Sequence, residues 1–263
     1  MRFTGIGQAL FAASLIAIGV WGLASGQFGA IWLPVPKTTP AREILAYACA
    51  VVSLAAGLGL FWRPMAAPAA RLLLAWVLLW LLVFKAPAVI AAPAAVVSWE
   101  SCGETVVILA AAWALYAAVA GAWDRRRVGF ATGEVGTRIA RALYGLAMIA
   151  FGLAHLAYLK DTASLVPGWL PAHPLWAQAT GIAYIAAGAA ILTGVLARLA
   201  ATLSVAQMGL FTLLVWAPML AGGSKDPSVW SEAVLSWTLT AAGWVVAESY
   251  GGQPWLARGR RRA

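Results

Sequence analysis

Apolar positions in this chain come in long unbroken runs, without the alternation of a half-buried strand or the single stripe of a soluble amphipathic helix. No charge stands between Arg2 and Lys37, and further charge-free windows cover 44–62, 72–84, 105–123, 142–159, 174–197, 199–224 and 233–247. A helix rising about 1.5 Å per residue crosses about 30 Å of hydrocarbon in about 20 residues. The windows therefore predict an all-α chain of eight transmembrane helices, near 6–25, 43–62, 70–91, 103–123, 139–158, 175–196, 199–220 and 231–250. Helices are expected because lipid cannot satisfy free backbone groups. The 72–84 window is short, so that helix is extended past Lys85, whose stem is expected to snorkel to the headgroups. Arg2 ahead of an apolar run, with Ala24-Ser25-Gly26 behind it, has the form of a cleavable signal. The return of the same segment inside the chain argues for a membrane helix instead.

That return is systematic. Val35-Pro36, Gly57, Ala86-Pro87, Trp99 and Trp113 come back 131 residues later as Val166-Pro167, Gly188, Ala217-Pro218, Trp230 and Trp244. In the first helix the offset is 133, with Ala9-Leu10-Phe11 matching Ala142-Leu143-Tyr144 and Gly19 matching Gly152. The expected organisation is a four-helix membrane repeat over 1–123, a basic linker over 124–138, a second repeat over 139–250 and a basic tail over 251–263. Four is an even number of crossings, so the copies are expected to lie parallel about an axis along the membrane normal.

Composition supports the bilayer as solvent: 63% of residues are hydrophobic and 10% charged, against about a quarter charged in soluble domains. The net charge of +9 is unevenly placed. Of 18 cations, 13 (Arg2, Arg63, Arg71, Arg125, Arg126, Arg127, Arg138, Arg141, Arg198, Arg258, Arg260, Arg261 and Arg262) fall on one side of the expected topology. The positive-inside rule makes that side cytoplasmic, with both termini there and the chain in the inner membrane. The excess is thus topological, and no basic face with stacking aromatics suggests nucleic acid. Two cysteines without CxxC or Cys/His spacing indicate neither a metal site nor a disulfide framework, and whether Cys49 and Cys102 pair stays open.

The varied chemistry is at the outer face. The Pro-rich stretches 31–36 and 165–171 are too apolar to float in water. They are expected at the interface, with Trp32 and Trp169 either anchoring at headgroup level or forming a lid over an outward pocket. His155 falls about one turn from the end of the fifth helix, and His173 opens the sixth, matching Arg42 of the first copy. An intramembrane histidine faces protein and suits proton transfer, or simply packs. Glu100 and Glu104, spaced i,i+4, share a face if the fourth helix starts early enough. With Glu232 they either complement helix N-termini or accept protons beside a cavity. The candidate pocket is His155, Tyr158, Trp169, His173, Trp176, Trp230 and Glu232, with Arg42, Trp99, Glu100 and Glu104 from the first copy.

Copy two resembles the DoxX-like family of four-helix membrane proteins. The resemblance runs through Gly152, His155, Val166-Pro167, Leu170-Pro171, Thr180-Gly181-Ile182, Gly188, Gly194 and Arg198. Where that family often has a glutamate in the second helix, this chain has Tyr184, and Ser53 in copy one. The resemblance implies a redox-associated membrane subunit, with a quinone as the candidate ligand. No haem pair, iron–sulfur cysteines or flavin motif is visible, so electrons would come from a protein partner. Two further classes stay open: a scaffold for a partner protein, and a small-molecule permease. Against the permease, the sequence shows no paired Gly/Pro breaks in the middle of corresponding helices. No catalytic motif is present, so whether the chain is an enzyme stays open.

Overall fold

The computed structural model describes residues 5–257; Arg2, Arg258, Arg260, Arg261 and Arg262 of the cytoplasmic set lie outside them. Eight long helices are present: α1 (Ile6–Ser25), α2 (Arg42–Phe61), α3 (Arg63–Ala91), α4 (Val96–Val119), α5 (Gly133–Ala157), α6 (His173–Thr193), α7 (Ala197–Ala221) and α8 (Pro227–Glu248). The described residues contain no strand. Helices α1 to α7 are long and apolar enough to cross a membrane, and the chain is a multi-pass membrane protein. With 22 residues α8 matches them in length but is less apolar. It packs against α1, α4 and α7, and there its hydroxyls find backbone partners: Thr238 donates to Val234 O at 2.7 Å and Thr240 to Ser236 O at 2.8 Å. Bonds of this i−4 kind satisfy a hydroxyl within its own helix, and exposed Thr193 of α6 likewise donates to Ala189 O at 2.8 Å.

Several boundaries differ from the sequence expectation. Helix α3 starts at 63 instead of 70, because Pro64 and Pro68 sit in opening turns, where a missing N–H costs nothing. Helix α4 spans 96–119, so both Glu100 and Glu104 lie within it, but neither in its first turn. Glu232 is likewise beyond the first turn of α8. Charge–dipole stabilisation fades within that turn, so the helix-terminus explanation of these acids fails. The segment expected as a linker is folded: a short helix (Ala122–Arg127), a 3-10 turn (Gly129–Ala131) and the start of α5. Asp124 is buried there. It accepts from Tyr116 Oη at 2.8 Å and from the Gly121 N–H at 3.0 Å, and Arg71 stands 2.8 Å away. Burial pushes the carboxyl up, but these donors and the guanidinium outweigh it and hold it below the ordinary value.

Each helix packs on the next within 1–4 and within 5–8, α4 packs on α5 and α8 on α1, and α4 meets α8. Exchanging α1 to α4 for α5 to α8 leaves this set of pairs unchanged. The close approaches correspond atom by atom. A Cβ on Gly57 would meet Ala12 O and Ile16 Cγ1, both at 2.7 Å, and Ile16 N at 2.9 Å. On Gly188 it would meet Gly145 O at 2.5 Å, Ile149 Cγ1 at 2.7 Å and Ile149 N at 3.1 Å, the same atoms 133 residues on. Trp99 Nε1 donates to Pro93 O at 2.9 Å, and Trp230 Nε1 to Ser224 O at 3.0 Å, both displaced by 131. Ala41 and Ala172, ahead of α2 and α6, share left-handed φ values of 49° and 56°.

Helices α3 and α7 widen into π turns at matching places, Leu81–Lys85 and Thr212–Trp216, just before Pro87 and Pro218. A proline ring clashes with the carbonyl four residues back and offers it no N–H, and a widened turn relieves both. The two prolines stand at the 131-residue offset in the sequence, but the π turns ahead of them, toward one end of each helix, leave no mark on the apolar pattern.

Candidate functional site

At the end of the bundle where α4, α5, α7 and α8 meet, a cavity of about 190 Å³ opens. Helix α4 brings Glu100 and Glu104 to it, α5 brings His155, α8 brings Glu232, and Tyr158 follows α5. Aromatic walls complete it: Phe151 and Tyr184 from the α5–α6 pair, Phe211 and Trp216 from α7. The i,i+4 spacing on a continuous α4 is what turns both of its carboxyls the same way.

His155 is held firmly. Its ring lies edge-on to Tyr184 at 5.3 Å and to Phe211 at 5.5 Å, and its Nδ1 is 2.9 Å from Phe151 O. A carbonyl only accepts, so Nδ1 carries the proton and, in the neutral ring, Nε2 presents a lone pair. That Nε2 is buried and has no hydrogen-bond partner among the described residues. Tyr158 Oη accepts the Val97 N–H at 3.1 Å, which ties the start of α4 to the end of α5. The polar lining holds three carboxyls and this imidazole nitrogen, together with the hydroxyls of Tyr158, Thr162, Tyr184 and Ser236. Three carboxyls around so small a space need cations or protons as counter-charge.

Five sequence candidates line this cavity: His155, Tyr158, Glu232, Glu100 and Glu104. The other six lie outside its lining. Trp169 is 71% exposed, Trp176, Trp230 and Trp99 are about half exposed, and Arg42 sits over the Phe28 ring at 5.0 Å. His173 is the first residue of α6, half-buried. Cys49 and Cys102 are free thiols. Among the described residues no group of three His, Cys, Asp or Glu is placed to hold a metal ion. Sequence reasoning missed Phe211 and Trp216. Tyr184 carried a signal, since it occupies the position where the resembling family often has its glutamate.

The first copy is arranged differently from expectation. Trp32 is not at headgroup level: it is 1% exposed, donates Nε1 to Ser53 Oγ at 3.1 Å and lies edge-on to Trp80 at 5.3 Å. Nor does Lys85 snorkel. It is 3% exposed, and its Nζ donates to Leu33 O at 2.5 Å and Ser101 Oγ at 2.8 Å. The loop carrying Trp32 and Leu33 folds over the ammonium and supplies an acceptor within the protein, so the stem has no need to reach water.

No protein-family model, curated protein or solved structure matches this chain.

Proposed function

We propose that the chain crosses the membrane eight times as two parallel four-helix repeats, 1–123 and 139–250, related by a two-fold axis along the membrane normal. Both termini lie in the cytoplasm, and the protein resides in the inner membrane. Support comes from the exchange-symmetric helix pairs, the paired π turns and the 13-to-5 division of cations. Within this frame, the second-repeat cavity is an outward-facing site for the head of a quinol, in a redox-associated subunit of the DoxX-like kind.

One observation carries the ligand reading: His155 Nε2 stands buried at the cavity wall with no hydrogen-bond partner among the described residues. A ligand that satisfies this acceptor must donate, and a quinol donates hydroxyl protons from a flat apolar ring. The size agrees, since a cavity of about 150 Å³ accepts benzene. On oxidation, His155 Nε2 and a carboxylate of the Glu100–Glu104–Glu232 set would take one proton each, while two electrons leave to a redox centre on a partner protein. Polar groups on facing walls orient the ring, and the aromatics exclude water.

The test is calorimetric titration of detergent-purified protein with a short-chain quinol, comparing wild type with His155→Phe, which keeps the ring contacts and removes the nitrogen. We expect saturable binding that weakens at least about tenfold, equivalent to about 1.4 kcal/mol. No saturable binding, or equal affinity in the variant, refutes the quinol reading and leaves a scaffold for a partner protein. The paired π turns favour one alternative, a small-molecule permease, because broken helices at matching places are the pattern of repeat transporters. Substrate-dependent uptake into vesicles would support it.

A further inference from the structure

The cavity of the second repeat is bounded by Tyr184, Met208, Phe211, Trp216, Ser236 and Leu239. The residues 131 earlier are Ser53, Val77, Trp80, Lys85, Thr105 and Ile108, and each is at most 3% exposed. Tyr184, Met208 and Leu239 are themselves 3%, 5% and 8% exposed, so what marks the equivalent space of the first repeat as occupied is a side chain seated in it. That side chain is Trp32: the indole touches Ser53 and Trp80, the counterparts of Tyr184 and Phe211. The loop that delivers it is longer. The offset is 133 up to the end of α1 and 131 from Val35 onward, so the first copy has two more residues between these points. Lys85 fastens that loop through Leu33 O. In the second copy the shorter connection brings Tyr158, Thr162 and Leu165 to the cavity, and Trp169 lies outside.

We infer that the second-repeat cavity takes a flat aromatic ring with an N–H or O–H donor at its edge, indoles and phenols included, and that Trp32 is the built-in occupant of the same site in the first repeat. Trp32 shows how such a ring seats. One edge donates to the residue on the second helix of the repeat, and the ring makes a T-shaped contact with an aromatic from the third helix. In the second repeat those places are held by Tyr184 and Phe211, with His155 Nε2 as an additional acceptor. The inference rests on the cavity being a ligand site, and extends the ligand class beyond quinols.

Free indole is the probe, measured by equilibrium dialysis of the whole detergent-purified protein against a matched detergent blank. Wild type should bind one indole. Leu165→Trp, which places an indole on a residue already lining the cavity, should bind none. Trp32→Ala should bind two, and its melting temperature, lowered by the vacated space, should rise again with added indole. Should Trp32→Ala fail to fold, Leu165→Trp alone decides. Wild-type stoichiometry in Leu165→Trp, or a folded Trp32→Ala with one site, overturns the inference. Protein that binds quinol but no indole overturns it while sparing the ligand-site reading; protein that binds neither overturns both.

Discussion

Adding one methyl at Gly57 or Gly188 tests the architecture at its tightest point. The Gly57 Cβ would stand 2.7 Å from Ala12 O and 2.9 Å from Ile16 N, where ordinary contact begins at 3.4 Å. Ile16 Cγ1, also at 2.7 Å, can rotate away, but the two backbone atoms move only with α1. The helices must therefore part by about half an ångström or more, and overpacking of this kind costs about 1–3 kcal/mol. Alanine recovers about 1 kcal/mol through helix propensity. The net loss is then about 1 kcal/mol, or a fall in melting temperature of about 2–4 °C for a chain of this length. Gly188→Ala should lose at least as much, since Gly145 O lies closer, at 2.5 Å. Gly168→Ala, with nothing within 4 Å, is the control and should not destabilise. The assay is thermal unfolding in mild detergent followed by intrinsic fluorescence of the 15 tryptophans. Melting unchanged or raised in both variants would refute the close packing, and a fall in one alone would refute the equivalence of α1–α2 with α5–α6.

Asp124→Asn should cost about 1–2 kcal/mol near neutral pH, because it removes the charge that pairs with half-exposed Arg71 while leaving an acceptor for Tyr116. The folded carboxyl titrates below its ordinary 3.8, so the wild-type advantage is present above that pH and disappears as pH falls through the folded value. Melting curves of both proteins from pH 7 to pH 3 should converge at the acid end, and a constant gap would contradict this. Ala41→Gly and Ala172→Gly, both exposed and at positive φ, should each stabilise by about 0.5–1 kcal/mol by removing left-handed strain. A lowered melting temperature in either would count against the strain assignment.

The membrane class and the seven apolar helices were legible because charge is so sparse that its absence alone delimits a span. The proposed repeat rests on proline, glycine and tryptophan, whose spacing an Ala/Leu-rich background does not imitate. The polar half of the cavity was legible too, since Glu100, Glu104, Glu232 and His155 stand out in such a chain. Its aromatic half was not: Phe211 and Trp216 look like any membrane-helix residue until a neighbouring helix fails to cover them. Trp32 and Trp169 sit in similar Pro-rich loops, yet one is buried and the other is out. Trp32 lies three residues before Val35 and Trp169 three residues after its match Val166, so the two rings leave their loops at different places, which hydropathy does not register. The burial of Lys85 likewise depends on the Leu33 carbonyl, a backbone group that composition cannot reveal.

The seam between α1 and α8 sets an order of events during synthesis. Gly7 presses on the α8 backbone near Val245, and its N–H donates to Glu248 Oε1 at 3.0 Å. A separation of 241 residues divides these partners, and at about 5–20 residues per second the ribosome needs about 12–48 s to make them. Throughout that interval the first helix waits in the bilayer with one flank uncovered, its small residues in contact with lipid or with whatever assists insertion. Nascent chains released before the last helix emerges should therefore be the form most open to capture by membrane proteases or by another copy's α8.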